Sequence, residues 1–540
     1  MNLWKQKYFS WGLISLLIAA FIFIPLLFVL EGLAHGNNEN VQHIQRYLLA
    51  DLFYTTIRMI IGVAFVAVLL GLPAAYFVAT FKFPLRNFLR KANILPIAIP
   101  TYIMAFAYAS IFSVTGTFYY IGELFFTREE LYAWNIDVLT EGWLMIFLGF
   151  ALYPYVYSAS LVSFSIKNKS LEEAAASLGA KPWKRFWRIS FPIVLPAALG
   201  GMALVAMEVI NDYGAMSYFN VNTITAGIFQ AKQMDFSSSV FISALTFIII
   251  VSFFTVYYLI KSYKKVQQST SSTNYDLIKL NKSQGIIISF VVFLPFFFGF
   301  ILPVLELVYL ASSRIDILFS SEFFTIAFNS IQLAIIPALF VVLLSLILLY
   351  NQYLNKGFLS RLVAAVSNVG YGIPGAIIAV AVMAFVIIVD NSDKTTYHFL
   401  IDSFILLIFA YIIRFMAVGY NTLEGGFNQI AYSLPDTARS SGRGTFYTLI
   451  KVYLPLLKGA LLTTLAIVVV DILKELPITL LLQRFNFNTL ATVAYEKAKV
   501  TESVRDAAPY ALLLIFVGTL AVLFLVSSGR NKVKNDSTFR

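Results

Sequence analysis

Stretches of about twenty mostly apolar residues recur along this chain with few charges inside them, and no other feature limits its fold so strongly. A helix needs about 20 such residues to cross the hydrocarbon core of a bilayer. Six stretches in the first half meet this, at 11–31, 54–79, 92–113, 142–164, 190–211 and 239–260. Six in the second half do so at 284–311, 325–350, 362–389, 400–420, 455–475 and 508–527. Of the 540 residues 59% are hydrophobic and 12% charged, against about 45–50% and about 25% in soluble domains. The expected class is an all-α polytopic membrane protein with about twelve transmembrane helices. The first stretch follows Lys5 and Lys7 as a signal sequence would, but its apolar run from Trp11 to Leu30 exceeds the usual h-region of about 7–15 residues. Its retention as a membrane anchor is expected.

With the N-terminus inside and the stretches alternating, only nine of the 39 basic residues fall in outer segments: Arg46, Arg128, Lys232, Arg314, Lys394, Arg484, Lys497, Lys499 and Arg505. Most of the others line inner loops, so the positive-inside rule places both termini in the cytoplasm. The net charge of +11 is then an orientation signal, and no nucleic-acid partner is implied. There is no cysteine, and the three histidines (His35, His43, His398) are scattered. Disulfides, thiolate metal sites and a histidine cluster are thereby excluded, and no metal site is assigned. No phosphate-cradling GxxxxGK[ST] loop occurs, so the chain is not expected to hydrolyse ATP or to act as an enzyme.

The chain repeats itself. Ser170-Leu-Glu-Glu-Ala-Ala-Ala-Ser-Leu-Gly179, closing at Pro192 as the next stretch begins, returns 263 residues later as Ser433-Leu-Pro-Asp-Thr-Ala-Arg-Ser-Ser-Gly442, closing at Pro455. Phe219-Asn-Val-Asn-Thr223 returns at an offset of 266 as Phe485-Asn-Phe-Asn-Thr489. Six spans restore the starting side, so the halves run parallel. The first half covers 1–260 (core about 54–260, loop 170–192) and the second 285–530 (core about 325–527, loop 433–455). Polar residues 261–284 form a cytoplasmic linker, and 531–540 a cytoplasmic tail.

Within each repeated loop, Ser170 and Glu173 form a capping box, a short helix follows over about 171–178, and Gly179 supplies the left-handed stop. Ser433, Asp436 and Gly442 take the same parts in the second copy. One such loop is unremarkable in a polytopic protein. Two, one per half, imply a paired docking surface for a two-fold partner.

These residues carry a resemblance. Glu173-Ala174-Ala175-x3-Gly179-x9-Ile189-x-Phe191-Pro192 resembles the EAA loop of binding-protein-dependent ABC import permeases. Asp436-Thr437-Ala438-x3-Gly442-x9-Val452-x-Leu454-Pro455 resembles a degenerate second copy, with Asp for Glu and Thr for Ala. The resemblance implies two repeated six-helix halves of the MetI-like ABC permease type in a bacterial inner membrane. It also implies coupling helices seated on two copies of an ABC ATPase subunit, which would hold the ATP and magnesium, and a periplasmic substrate-binding protein on the other face. No cofactor on this chain is implied. Glu208-Val-Ile-Asn-Asp212-Tyr-Gly214 and Lys474-Glu-Leu-Pro-Ile-Thr-Leu-Leu-Leu482 resemble the two halves of fused ferric-iron permeases. Fused thiamine permeases share the architecture without the Lys-Glu-Leu-Pro segment, and sulfate, molybdate, polyamine and phosphonate permeases are further relatives.

The repeat offset pairs Glu208 with Asp471, Asp212 with Glu475 and Asn211 with Lys474, all at the outer end of the fifth span of a half. Charged groups at membrane depth default to functional candidates. Near a two-fold axis they would form a ring of four carboxylates and one lysine, suited to a hard cation that prefers oxygen donors. The alternatives are a headgroup position, a local pairing of Lys474 with Asp471 or Glu475, or a receptor-docking role. Arg414 reads as an interfacial anchor, and Gly71-Leu-Pro73 and Gly370-Tyr-Gly-Ile-Pro-Gly375 as places of close helix packing. A gradient-driven carrier also uses repeats but has no use for paired cytoplasmic docking helices. An intramembrane enzyme would need a convergent catalytic set, which the sequence does not offer.

Overall fold

The structure is a computed structural model that describes residues 2–36, 38–134, 136–165, 175, 177–263, 277–355, 357, 360, 362–363, 365, 369–389, 404–430, 440, 442, 444–484 and 486–536. Its long helices are α1 Asn2–Phe28, α2 Leu49–Thr80, α3 Thr101–Phe112, α4 Glu141–Ser165, α5 Phe191–Asn211 and α6 Phe236–Tyr263 from the first half. The second half gives α7 Lys282–Phe296, α8 Leu302–Ser312, α9 Ser321–Leu354, α10 Gly375–Val389, α11 Phe404–Phe427, α12 Leu454–Lys474 and α13 Val504–Asp536. Among the described residues, ten helical segments are long and apolar enough to cross a membrane. The expected sixth span is covered by α6, Phe236–Tyr263, and the expected ninth appears as a shorter apolar helix, Gly375–Ile388.

The expected third span, 92–113, is shifted. A short helix ends at Ala92, one 3-10 turn spans Leu95–Ala98, and the crossing helix begins at Thr101, after Pro100. Pro96 and Pro100 cause the break, because proline lacks an N–H and pushes the preceding residue towards extended backbone. Buried Asn93 serves the broken region: its amide donates to Leu89 O (2.9 Å) and Val292 O (3.2 Å), and its oxygen accepts from Tyr153 OH (3.0 Å). Towards the end of the expected linker, β2 (Ile278–Lys279) pairs in parallel with β1 (Phe81–Lys82). α13 runs on to Asp536, through the expected start of the tail.

The chain forms two compact units, each drawing on residues of both sequence halves. One unit holds Met1–Leu48, Gly227–Phe253 and Ser320–Thr492. Its centre is α9, α11 and α12, packed on one another. α1 lies against α10 and α9, with Trp11 edge-on to Tyr350 at 5.0 Å and donating to Thr445 Oγ1 (3.2 Å), and Phe28 edge-on to Phe385 at 5.1 Å. The other unit holds Leu49–Ala226, Phe254–Phe319 and Val493–Arg540, centred on α2, α4 and α5. α8 and α13 pack beside its α3 end. There Tyr108 OH donates to Phe298 O (2.6 Å), and buried Glu306 accepts from Ser110 Oγ (3.0 Å) and Thr117 Oγ1 (2.6 Å).

Small residues let the three central helices of this second unit approach closely. A Cβ added at Gly71 of α2 would lie 2.8 Å from Tyr153 O, and one at Gly201 of α5 would lie 2.7 Å from Val156 Cα, so the α4 backbone is gripped from two sides. Tyr153 and Tyr157 beside these contacts are fully buried. Gly71→Val is expected to cost about 1–3 kcal/mol through overpacking, read as a lower melting temperature of the purified protein. An unchanged melting temperature would refute the close approach.

Candidate functional site

The first repeated loop is described from Ala175 onward in part. Ala180 N donates to Ala175 O (2.9 Å) across Gly179, whose φ is +77°. This six-to-one bond around a left-handed glycine is a Schellman stop, which satisfies a terminal helix carbonyl. Gly442 has φ +73°. Among the described residues, an added Cβ at either glycine would meet no atom within 4 Å, and the positive φ is itself a demand for glycine. Ser170, Glu173, Ala174, Ser433, Asp436 and Ala438 lie outside the described residues.

From each loop the chain enters the fifth span of its half through a π-turn, Phe186–Ser190 and Leu449–Tyr453, again 263 residues apart. Phe191 N donates to Phe186 O and Leu454 N to Leu449 O. The prolines that follow, Pro192 and Pro455, explain the wider turn. A proline ring clashes with the carbonyl four residues back, and a π-bulge moves that carbonyl aside. A third example, Phe297–Ile301 before Pro303, divides α7 from α8.

At the far ends of α5 and α12 the two halves break in the same way. Asp212 takes φ −73°, ψ 113° and Glu475 φ −71°, ψ 127°, ending the helices. Short helices follow at Gly214–Tyr218 and Pro477–Leu482. Asp212 Oδ1 accepts from Ala215 N (2.9 Å), while both carboxylate oxygens of Glu475 accept from Ile478 N (3.1 and 3.0 Å). Both side chains are buried, 6% and 7% exposed. They act as caps for amides that have no helical partner. Thr479, whose Oγ1 lies 2.6 Å from Tyr411 OH, donates to Glu475 O (2.9 Å) and holds the second break in place.

One turn earlier the acids are placed differently. Glu208 accepts from Tyr155 OH (3.3 Å), and Asp471 pairs with Lys474 Nζ (3.5 Å). Arg414 is not an interfacial anchor. It is 5% exposed and donates to Ile373 O and, at 3.5 Å, to Gly370 O, closing the turn that starts α10. The broken helix there leaves carbonyls that need a donor. Arg414 also interacts electrostatically with Asp471 and Glu475. At the 263 offset the matching positions of the first half are Ala151 for Arg414 and Asn211 for Lys474. The acids of the second half therefore sit among two cations whose counterparts in the first half are uncharged. No group of three or more metal-binding side chains occurs among the described residues.

Hydroxyls tie the segments that follow to the core. Ile224 N donates to Thr56 Oγ1 (2.9 Å) in one unit, and Leu490 N to Ser330 Oγ (2.8 Å) in the other. Asn220 and Asn486 precede them with φ of 55° and 61°. The asparagines obey the 266 offset, but Thr56 and Ser330 are 274 apart, so a search at a fixed spacing passes over them. Tyr155 and Thr479 carry no sequence signal of their own.

Repeated membrane-length helices, matched left-handed glycines and matched broken helices define an internally duplicated polytopic permease architecture. The chain belongs to the family of binding-protein-dependent transport system inner membrane components, whose profile matches residues 67–265 and 347–530. It is thus a fused permease with one matched segment in each half, in the inner membrane. It is 25% identical over 522 residues to the Fe(3+)-transport system permease protein FbpB 2 of Haemophilus influenzae, covering 95% of this chain and 97% of that one. It is 31% identical over 195 residues to a probable sulfate transport system permease protein cysT of Chlorokybus atmophyticus, covering 35% of this chain and 64% of the relative. Over 154 residues it is 31% identical to the sulfate transport system permease protein CysT of Escherichia coli, covering 28% and 52%. These relatives are named as permeases, not as enzymes.

Glu475→Ala is expected to lower the stability of the full-length protein by about 1 kcal/mol, the usual worth of a cap, whereas Glu475→Gln keeps an acceptor and most of that stability. Melting curves of the two variants decide this. Equal losses in both would show that the charge, not the cap, is what matters.

Proposed function

We propose that this chain is the permease subunit of an ATP-driven importer that passes ferric iron from a periplasmic binding protein to the cytoplasm by alternating access. The observation that carries the iron reading is the likeness to a ferric-iron permease along 95% of the chain, both halves included. The sulfate permease relatives cited match about a third of it. Two copies of an ATPase subunit would grip the loops around Gly179 and Gly442, and both termini would lie in the cytoplasm. Of the four acids, Glu208 and Asp471 are the ones assigned to the substrate path, because Asp212 and Glu475 are engaged by backbone amides. Lys474 would tune Asp471 through its pairing. Carboxylate oxygens suit a hard cation.

The second reading is a permease for sulfate or another small solute, and it rests on the sulfate permease relatives. Lys474 and Arg414 beside the acids of the second half are the feature that an anion would use.

Gly179→Val forces a β-branched residue into the left-handed region, at about 1–2 kcal/mol. It is expected to reduce ATPase co-purification while the membrane fold persists. Normal co-purification together with normal transport would remove the loop from coupling. In proteoliposomes containing the ATPase and the binding protein, ATP-dependent uptake of radiolabelled ferric iron is expected, without uptake of sulfate or thiamine. Glu208→Gln combined with Asp471→Asn is expected to depress iron uptake about tenfold or more with ATPase association intact. Sulfate uptake in place of iron would reverse the substrate, and unchanged iron uptake in the double variant would remove both acids from the path.

A further inference from the structure

Lys82, Arg86, Arg90 and Lys91 fall within a ten-residue stretch shortly after α2, and the chain has no acidic residue between Asp51 and Glu123. Arg86 and Arg90 lie four apart on the short helix Arg86–Ala92 and so share a face. The parallel pairing of β1 with β2 sets Lys82 beside Lys279, and Ser289 Oγ donates to Pro84 O (2.8 Å). This second stretch is also free of acids, between Asp276 and Glu306. Among the described residues no acidic side chain forms an ion pair with any of these cations.

The two stretches enclose a cleft of about 330 Å³, lined among others by Lys82, Phe83, Leu85, Arg86, Asn87 and Phe88. Arg86 is anchored there by Nε donating to Val78 O (2.8 Å). Burial, and then the charge of Arg90, lower its pKa from the usual arginine value, an electrostatic cost that a bound anion would relieve. The rim is apolar. Leu85, held at φ +58°, is 67% exposed, and Phe88 and Ile278 are exposed beside it. Ile286, Ile287 and Phe290 continue an exposed apolar surface along α7. A cationic cleft of this size next to an aliphatic wall matches one chemistry, a phosphodiester carrying acyl chains. Basic pockets at the cytoplasmic ends of membrane helices bind anionic headgroups, and the charge distribution of the chain puts this loop on that side.

We propose that the cleft between residues 82–88 and 277–279 is a binding site for the phosphate of an anionic phospholipid of the inner leaflet, whose acyl chains lie along Phe88 and α7. The site is independent of the substrate reading and holds whether the cargo is iron or another solute.

Native mass spectrometry of the full-length protein released from mixed phosphatidylcholine–phosphatidylglycerol nanodiscs tests it. Preferential retention of phosphatidylglycerol is expected, and Lys82→Gln combined with Arg86→Gln should lower that retention about tenfold. Lys532→Gln with Lys534→Gln, basic residues elsewhere in the chain, should leave it unchanged. Equal retention of the two lipids by the unmodified protein would overturn the proposal, as would full retention by the Lys82/Arg86 variant. Millimolar inorganic phosphate added to the unmodified protein separates the two sources of phosphate. Failure to displace phosphatidylglycerol supports a lipid site, and displacement would overturn the lipid assignment in favour of free phosphate.

Discussion

A helix that stops inside an apolar bundle strands amide groups that water cannot reach, and each must find an internal acceptor. In this chain α5 and α12 stop in that setting, and Asp212 and Glu475 supply the acceptors. Everything that follows each break depends on that substitution of a carboxylate for a helical carbonyl. The short helices Gly214–Tyr218 and Pro477–Leu482 start on it, and the left-handed asparagines and the hydroxyl tethers at Thr56 and Ser330 complete the return to the core. The same device leaves Glu208 and Asp471, one turn back, at the end of an intact helix and outside the capping network.

The two halves share this geometry but not its charge. The second half surrounds its acids with Arg414 and Lys474, and Ala151 and Asn211 occupy the matching places in the first. A duplicated backbone thus carries two electrostatic environments, and any solute that meets both meets a different field at each. Burying acids among fixed cations offsets part of their desolvation cost, which fits the denser polar network around Glu475, Thr479 and Tyr411.

Features set by local rules were legible in the sequence. Gly179 and Gly442 were marked by their need for positive φ, and Pro192 and Pro455 marked where each fifth span begins. The broken third span was hidden because Pro96 and Pro100 sit in an apolar run that hydropathy reads as continuous. The make-up of the compact units was hidden for a different reason. A repeat tells which helices are equivalent, not which ones touch, so α1 packing on α9 and α10 has no signature in a pairwise offset. That Asp212 and Glu475 cap backbone amides was not legible, because a carboxylate that caps and one that binds look alike in one dimension. Arg414 went astray similarly, because only the fold shows the open turn at Gly370–Ile373 beside it.

The run of backbone from Trp183 to Asn211 is a single rod of 29 residues, roughly 44 Å long at the α-helical rise. Its foot stands four residues past the glycine stop of the first repeated loop, and its tip is the capped break at Asp212. Its pattern of backbone bonds is interrupted by the π-turn near the foot and at Pro192 and Pro196, which lack an N–H. The repeated loop and the capped carboxylate are thus the two ends of one continuous piece of helix, and no side-chain relay is needed to join them.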